Sequence, residues 1–509
     1  MYQDRFSPWP CGLRYSHHPD PRAAGPKPGQ IPYPGLTVTT LDISGSSAGD
    51  PAWRAPVWIF IGFLLLYHVN GRHLAEVDCT PAPYTAVTLL EESSFDLRGY
   101  PELRVQARSA VRDRPDGSLL SKYPQGSSLA AVPFAAAAAA FGVPPARSHS
   151  SMARFGKWVA SVYTAGVAVL IFLVCRAVAP SAAWPTVVLV AAGSTLWSTA
   201  SQALWAHGPA TFFIATALFA LVRRPDGPGL AGSLVAGLAL GLAITCRPST
   251  GLFALASLGA LALNHRWRES ATLLLPVLLL GCGLLAYNVL HFDHALGGGY
   301  LAETYRFETP LRVGLAGLLV APSRGLLIYS PALLLVPLGL RRLLRGVPLD
   351  RTRNSVVIAW LGAAVVTLLF YARWHMWWGG WSFGPRFLTE SIPIFGVLFA
   401  FAYQELETQF GQAGRRAGWA LVWLSVAIHF AGVFGHGTDW MADKTGSDMF
   451  SLEGTQLAAH ASHLWNDRPA ALLLPVTVGI GAWLVRRRRH AEAPPHHANS
   501  NPGPGGKLS

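Results

Sequence analysis

The chain has 509 residues, 51% of them hydrophobic and 13% charged, with a formal net charge of +13. Soluble domains carry roughly 25% charged residues, so this composition excludes an ordinary soluble protein and points to one that crosses a membrane many times. The positive charge does not indicate nucleic acid. Its basic residues come in short clusters at the ends of apolar runs, as cytoplasmic helix ends do, and no polar domain is present to carry a contiguous basic face.

Residues 1–52 are rich in Pro, Gly and polar groups and lack an apolar signal core. They read as a disordered cytoplasmic tail, or as a start codon placed too far upstream. Residues 53–487 read as the membrane domain and 488–509 as a second disordered cytoplasmic tail. Crossing a bilayer takes ~20 apolar residues. In chain order the candidate stretches lie at 55–69, 128–143, 158–178, 183–196 and 208–222, then at 229–245, 250–263, 271–290, 325–339, 354–372, 387–405, 418–437 and 469–485. Basic clusters at Arg223-Arg224, His265–Arg268, Arg341-Arg342-Arg345, Arg415-Arg416 and Arg486–Arg489 fix the cytoplasmic ends from Arg223 onward. The N-terminal part holds five stretches between two cytoplasmic ends, an odd number. One of them, the Ala-rich 128–143 or the short 183–196, is therefore not a full crossing. The expectation is an all-α polytopic protein of about 12 membrane helices.

The polar segment 70–127 then forms the first extracytoplasmic loop. Prolines open an amphipathic stretch, Tyr84–Glu92, with Tyr84, Val87, Leu89 and Leu90 on one side. Such a helix either lies along the membrane surface or packs on other loops. The five cysteines show no paired or CxxC spacing, which speaks against a disulfide framework or a metal site.

Ionisable residues at membrane depth or at outer helix ends are costly, and are functional candidates for that reason. Asp78 stands first, just past the first apolar run. Lys122-Tyr123-Pro124-Gln125-Gly126 leads into the next. Trp197-Ser198 and Trp205-Ala-His207 mark a later outward turn, and Arg247-Pro248 sits between two apolar runs. GGGYLAETYRFETP carries Tyr300 and Glu303, APSRGLLIYSP carries Arg324 and Tyr329, and WHMWWGGWSFGPRFL carries Trp374, His375, Trp381 and Arg386. Each group has a plainer reading. Arg247 also suits a snorkelling helix end, His207 an interfacial hydrogen bond, the tryptophans an aromatic belt and the glycines tight turns. What favours function is that all groups fall on the same, outer side.

One outward carboxylate with several outward arginines suits displacement at a phosphate-linked sugar. Arginine forms charge-assisted forks to phosphate, and aromatic planes stack on sugar rings or prenyl chains. Asp78 would take the acceptor's proton, and Arg247, Arg324 or Arg386 would hold the leaving phosphate. A two-carboxylate hydrolase would need a second acid, for which Glu91, Glu92 or Asp96 are the nearest in sequence. There is no DxD, no GxxxxGK[ST] and no GxGxxG, so a sugar-nucleotide enzyme or an ATP-driven pump is not indicated. A divalent metal has no clear ligand set, and no cofactor is assigned.

Four stretches together, EVDCTPAPYTAVTLLEESSFDL, LLSKYPQGSSLAAVPF, GLAITCRPSTGL and WGGWSFGPRFL, resemble the GT-C fold of integral-membrane glycosyltransferases. The likeness is to bacterial members of the protein O-mannosyltransferase and lipid A aminoarabinose transferase superfamily, over about residues 55–490. It implies a polyprenyl-phosphate-linked sugar donor and transfer on the extracytoplasmic face of the bacterial plasma membrane, and the single carboxylate suits an inverting displacement. The acceptor is left open among glycan, lipid and protein. It implies that Asp78 matches the essential acid of the first outward loop. The chain departs from the family pattern in the residues flanking that acid, Val77 and Cys79. It also lacks a carboxylate in the Trp197–His207 turn, where His207 either substitutes or leaves Asp78 to act alone. The resulting assignment gives Asp78 as base, with Arg247, Arg386, Lys122 and Arg324 for the donor phosphate. Tyr84, Tyr123, His207, Tyr300, Tyr329, Trp374 and Trp381 would line the substrate groove. A flippase for lipid-linked sugars, or a non-catalytic envelope-glycan scaffold, are the rival classes. Against the flippase, the segments show no inverted repeat and no acidic residue deep in a helix.

Overall fold

A computed structural model describes residues 53–303, 306–347, 349–437, 439–441 and 444–474, with the side chains of 301–303 and 439 excepted. Both tails, the Arg486–Arg489 cluster and most of the last apolar stretch lie outside the described residues, as does the side chain of Glu303.

The described chain is overwhelmingly helical. It opens with α1 (Arg54–His68), α2 (Pro81–Glu92), the single turn α3 (Leu103–Gln106), α4 (Gly126–Ala140), α5 (His149–Val178), α6 (Ala183–Ala192) and α7 (His207–Val222). There follow α8 (Gly229–Cys246), α9 (Gly251–Leu263), α10 (Trp267–Phe292), α11 (Leu311–Val320), α12 (Leu326–Tyr329), α13 (Val336–Gly346), α14 (Arg351–Arg373), α15 (Ile392–Phe434) and α16 (Gln456–Asp467). The 30 residues of α5 rise about 45 Å, more than a bilayer core requires. Among the described residues, five elements are long and apolar enough to cross a membrane: α5, α8, α10, α14 and the stretch Arg386–Phe434. Helix α10 turns Leu275, Leu278, Leu279 and Leu290 outward, as lipid contact demands. The buried core lies between α5, α6, α7, α8, α9, α14 and α15.

Several elements differ from the sequence reading. At 10 residues α6 rises about 15 Å, and α4 at 15 residues about 22 Å; neither covers a ~30 Å hydrocarbon core as a straight helix. The stretch 325–339 is not one helix. It breaks into α12, a 3₁₀ turn at Pro331–Leu335 and α13, because Pro331 has no N–H to continue α12 and Pro337 opens α13 afresh. The supposed loops 291–324 and 438–468 contain α11 and α16. Helix α15 is interrupted at Gly411 (φ 54°, ψ −127°), which separates the two expected segments.

The segment 70–127 is a folded unit with its own apolar core of Tyr84, Val87, Leu97, Tyr100, Leu103 and Leu119, among others. Helix α2 buries its N-terminal two turns against α4 and α5, so it packs on protein along that face. An antiparallel hairpin, β1 (Val111–Asp113) and β2 (Leu119–Ser121), was not expected in an all-α chain. Its turn is closed by Asp116, which accepts from Ser118 N at 2.9 Å, and by Gly117 at φ 80°.

Candidate active site

Asp78 lies in a single 3₁₀ turn, Val77–Cys79. Cys79 Sγ and Thr80 Oγ1 both donate to the Glu76 carbonyl, at 3.1 Å each, and Pro81 starts α2 at once. This local closure sets the Asp78 carboxylate at the entry to α2. The hairpin brings Tyr123 to meet it: Lys122 N donates to Ala110 O at 3.0 Å, and the Tyr123 hydroxyl donates to Asp78 Oδ1 at 2.6 Å. On the other side Arg386 Nη2 is 2.8 Å from Asp78 Oδ2. The guanidinium carbon of Arg386 stands 4.5 Å from the Trp205 ring centre and 5.3 Å from that of Phe387.

Asp78 keeps 33% of its side chain exposed and Arg386 11%, so the pair is open on one side. Burial alone would raise the Asp78 carboxyl. Arg386 and the Tyr123 hydroxyl, with Lys122 beyond them, instead hold it below the ordinary carboxylate range. Burial, and then the Asp78 charge, drives the Tyr123 phenol well above its usual value, so it stays protonated and donating.

A second cluster adjoins the first through Phe387. Glu390 is 3% exposed and stands at the end of a 3₁₀ turn, Arg386–Ser391, that runs into α15. Its Oε1 lies 2.8 Å from His207 Nδ1 and 2.8 Å from Arg247 Nε. Arg247 extends between α8 and α9, donates from Nη2 to the Tyr371 hydroxyl, and places Nη1 3.3 Å from His207 Nε2. Tyr371 stacks on Phe387 at 4.6 Å and shares a 3.0 Å hydrogen bond with Ser249. Removing a carboxylate from water costs several kcal/mol unless it is paired and hydrogen-bonded, and Glu390 is both.

Tyr300 completes the wall. An added Cβ at Gly299 would sit 2.4 Å from Lys122 Cα, so only glycine lets the 297–299 turn come this close. The approach sets Tyr300 edge-on to Tyr123, with ring centres 5.6 Å apart and Lys122 Nζ 5.6 Å from the Tyr300 centre. The structure thus brings together Asp78, Lys122, Tyr123, His207, Arg247, Tyr300 and Arg386 of the sequence-derived set.

It does not bring in the others. Tyr84 is buried in the core of the 70–127 unit, edge-on to Tyr100 at 4.8 Å. Glu91 and Glu92 face exposed Arg147, and Asp96 caps the backbone at Arg98 and Leu119. Arg324 is wholly buried and donates to Gly380 O at 2.7 Å and to Gln456, while Tyr329 packs edge-on to Phe383. Trp374 packs on Phe307, and Trp381 is 42% exposed. Sequence reasoning missed Glu390 and Tyr371. Glu390 lies within the expected stretch 387–405 but near its start, in the 3₁₀ turn ahead of α15 and not deep in a helix. Among the described residues no group of three or more His, Cys, Asp or Glu is placed to hold a metal ion.

By sequence, no family model and no curated protein matches the chain. By structure it is similar to ArnT from Cupriavidus metallidurans, solved bound to undecaprenyl phosphate. The likeness has a TM-score of 0.51 at 15% identity and covers 86% of this chain and 73% of that one. The chain has the GT-C fold. The resemblance read from the four motifs therefore holds at the level of architecture, and the protein is an integral membrane protein.

Proposed function

We propose that the chain is a glycosyltransferase that moves a sugar from a polyprenyl-phosphate-linked donor to an acceptor hydroxyl at the extracytoplasmic face. The single observation that carries this reading is the half-open Asp78–Arg386 pair, set beside the second guanidinium of Arg247. An acid next to paired cations suits the two halves of a displacement. The solved relative's bound undecaprenyl phosphate supports the donor class. About 12 crossings, with the 70–127 unit outside, complete the topology we propose.

In the reaction, the acceptor oxygen attacks the anomeric carbon from the face opposite the phosphate. Its proton passes to Asp78, the bond from carbon to phosphate oxygen breaks, and the electron pair leaves with the lipid phosphate. Configuration inverts. Arg386, Arg247 and Lys122 take up the charge that develops on the phosphate. A phosphate leaves without protonation, so one carboxylate is sufficient. Tyr123 orients Asp78, Trp205 backs Arg386, and Tyr300 offers a face to the sugar.

The test is turnover of a panel of radiolabelled polyprenyl-phosphate sugars by the protein in nanodiscs, with Asp78→Asn alongside. Turnover by wild type and its loss in a folded Asp78→Asn supports the reading. Equal activity in both moves the base elsewhere, and carrier binding without turnover in either favours the flippase.

A further inference from the structure

Arg386 stands at the end of a loop that has little regular structure of its own. Gly379, Gly380 and Gly384 take φ of 78°, 65° and 74°, a left-handed course that side chains resist. Arg386 lies directly over this loop: an added Cβ at Gly379 would be 3.1 Å from its Cγ. A backbone this permissive does not by itself hold a guanidinium in register with Asp78.

The register comes from elsewhere in the chain. Gln456, at the first turn of α16, is 2% exposed. Its Oε1 accepts from Gly384 N at 3.2 Å, from the Tyr329 hydroxyl at 3.4 Å and from Arg324 Nη1. Its Nε2 donates to Ser382 O at 3.1 Å, and its own N–H donates to Ser323 Oγ at 3.2 Å. Arg324 and a backbone amide can only donate, which fixes the orientation of the Gln456 amide. Arg324 adds a bond from Nη2 to Gly380 O. One amide and one guanidinium therefore grip the loop at residues 380, 382 and 384, from behind and out of reach of the Asp78 cluster.

We propose that Gln456 is a positioning residue for donor binding: through the 380–384 backbone, with Arg324 as its partner, it holds Arg386 where the donor phosphate docks. This rests on the reading of Arg386 as a phosphate ligand. It gives Arg324 a role behind the loop, and it gives α16 a part in donor affinity although the helix contributes no side chain to the cluster.

The experiment uses the full chain in nanodiscs, with undecaprenyl phosphate as the binding probe. Gln456→Ala and Gln456→Glu are compared with wild type by hydrogen exchange over residues 379–386, by probe affinity and by kcat at saturating donor. Gln456→Glu keeps the acceptor for Gly384 and Arg324. Gln456→Ala removes the bonds to Gly384 and Ser382, so the loop is expected to exchange faster. The variant's probe affinity should fall about 10- to 100-fold, as for one misaligned charge-assisted bond to phosphate, with kcat much less affected and with Gln456→Glu restoring most of the affinity. Should Gln456→Ala fail to fold, Gln456→Met keeps the volume, drops the hydrogen bonds and carries the same test. A folded variant with unchanged loop exchange overturns the clamp. Faster exchange with unchanged affinity overturns the positioning role. If wild type itself does not bind the probe, the donor reading fails, and loop exchange still decides the clamp.

Discussion

Arg247 Nη1 lies 3.3 Å from His207 Nε2, while His207 Nδ1 lies 2.8 Å from Glu390 Oε1. A guanidinium nitrogen has no lone pair to offer, so Nε2 accepts and the imidazole proton sits on Nδ1, facing Glu390. The network thereby assigns a neutral His207 in one tautomer. Glu390 accepts from His207 and pairs with Arg247, whose Nη1 and Nη2 are held by His207 and the Tyr371 hydroxyl.

From this arrangement His207→Gln, which can still donate with one amide atom and accept with the other, should fold and keep part of the activity. His207→Leu leaves buried Glu390 short of a donor, at a cost of about 1–3 kcal/mol, and frees Arg247 to move. Thermal melting in detergent and donor turnover check both. Equal behaviour of the two variants would show that hydrogen bonding at His207 does not matter.

The Asp78 carboxyl titrates below its ordinary range because Arg386 and Tyr123 offset its burial. A group with a depressed folded pKa contributes stability above its unfolded pKa, and that contribution is lost as pH falls through the folded one. The acid limb that Asp78 gives to the activity profile should therefore lie below the usual carboxylate range. Tyr123→Phe removes one bond to the charged form, so that limb should move upward in pH while the plateau rate changes less. A limb that stays in place would mean that Tyr123 does not tune Asp78.

Charge alone does not explain the site of Arg386, which both reaches Asp78 and lies over Trp205 and Phe387. Lysine preserves the charge but neither forks nor stacks. Arg386→Lys should weaken donor binding about 10-fold, in keeping with loss of one charge-assisted bond, and Trp205→Leu should weaken it in the same direction. Steady-state KM for the donor is the readout. An unaltered KM in Arg386→Lys would reduce the residue to a simple counter-ion.

Which of these features could be read from the chain follows from how far each signal reaches. Asp78 and Arg247 stood out because isolated charges beside apolar runs are costly wherever the fold places them. Glu390 did not, because it falls inside a stretch that continues as apolar helix, and its partner His207 is 183 residues away. Pro331 and Pro337 marked the break in 325–339, but an apolar run looks the same along the chain whether it is straight or broken. Asp116-Gly117 is a hairpin signal of the ordinary kind, overlooked because the composition is so helical. The Gln456 clamp rests on backbone carbonyls and amides, and these carry no side-chain signature at all.

Glu390 offers the sharpest separation of structural from functional roles. Removing one partner of a buried ion pair leaves the other uncompensated and typically costs about 3–5 kcal/mol, whereas removing both costs far less. Glu390→Gln alone should therefore destabilise the protein and lower activity, because Arg247 keeps Tyr371 and His207 but loses its counter-charge. Glu390→Gln with Arg247→Gln should recover much of the stability, a coupling that a double-mutant cycle reads directly. Activity should not recover, since the second substitution removes a guanidinium assigned to the phosphate. Melting temperature and turnover, measured on the same four proteins, then move apart. If activity returned with stability, Arg247 would serve only to neutralise Glu390, and the phosphate would rest on Arg386 and Lys122.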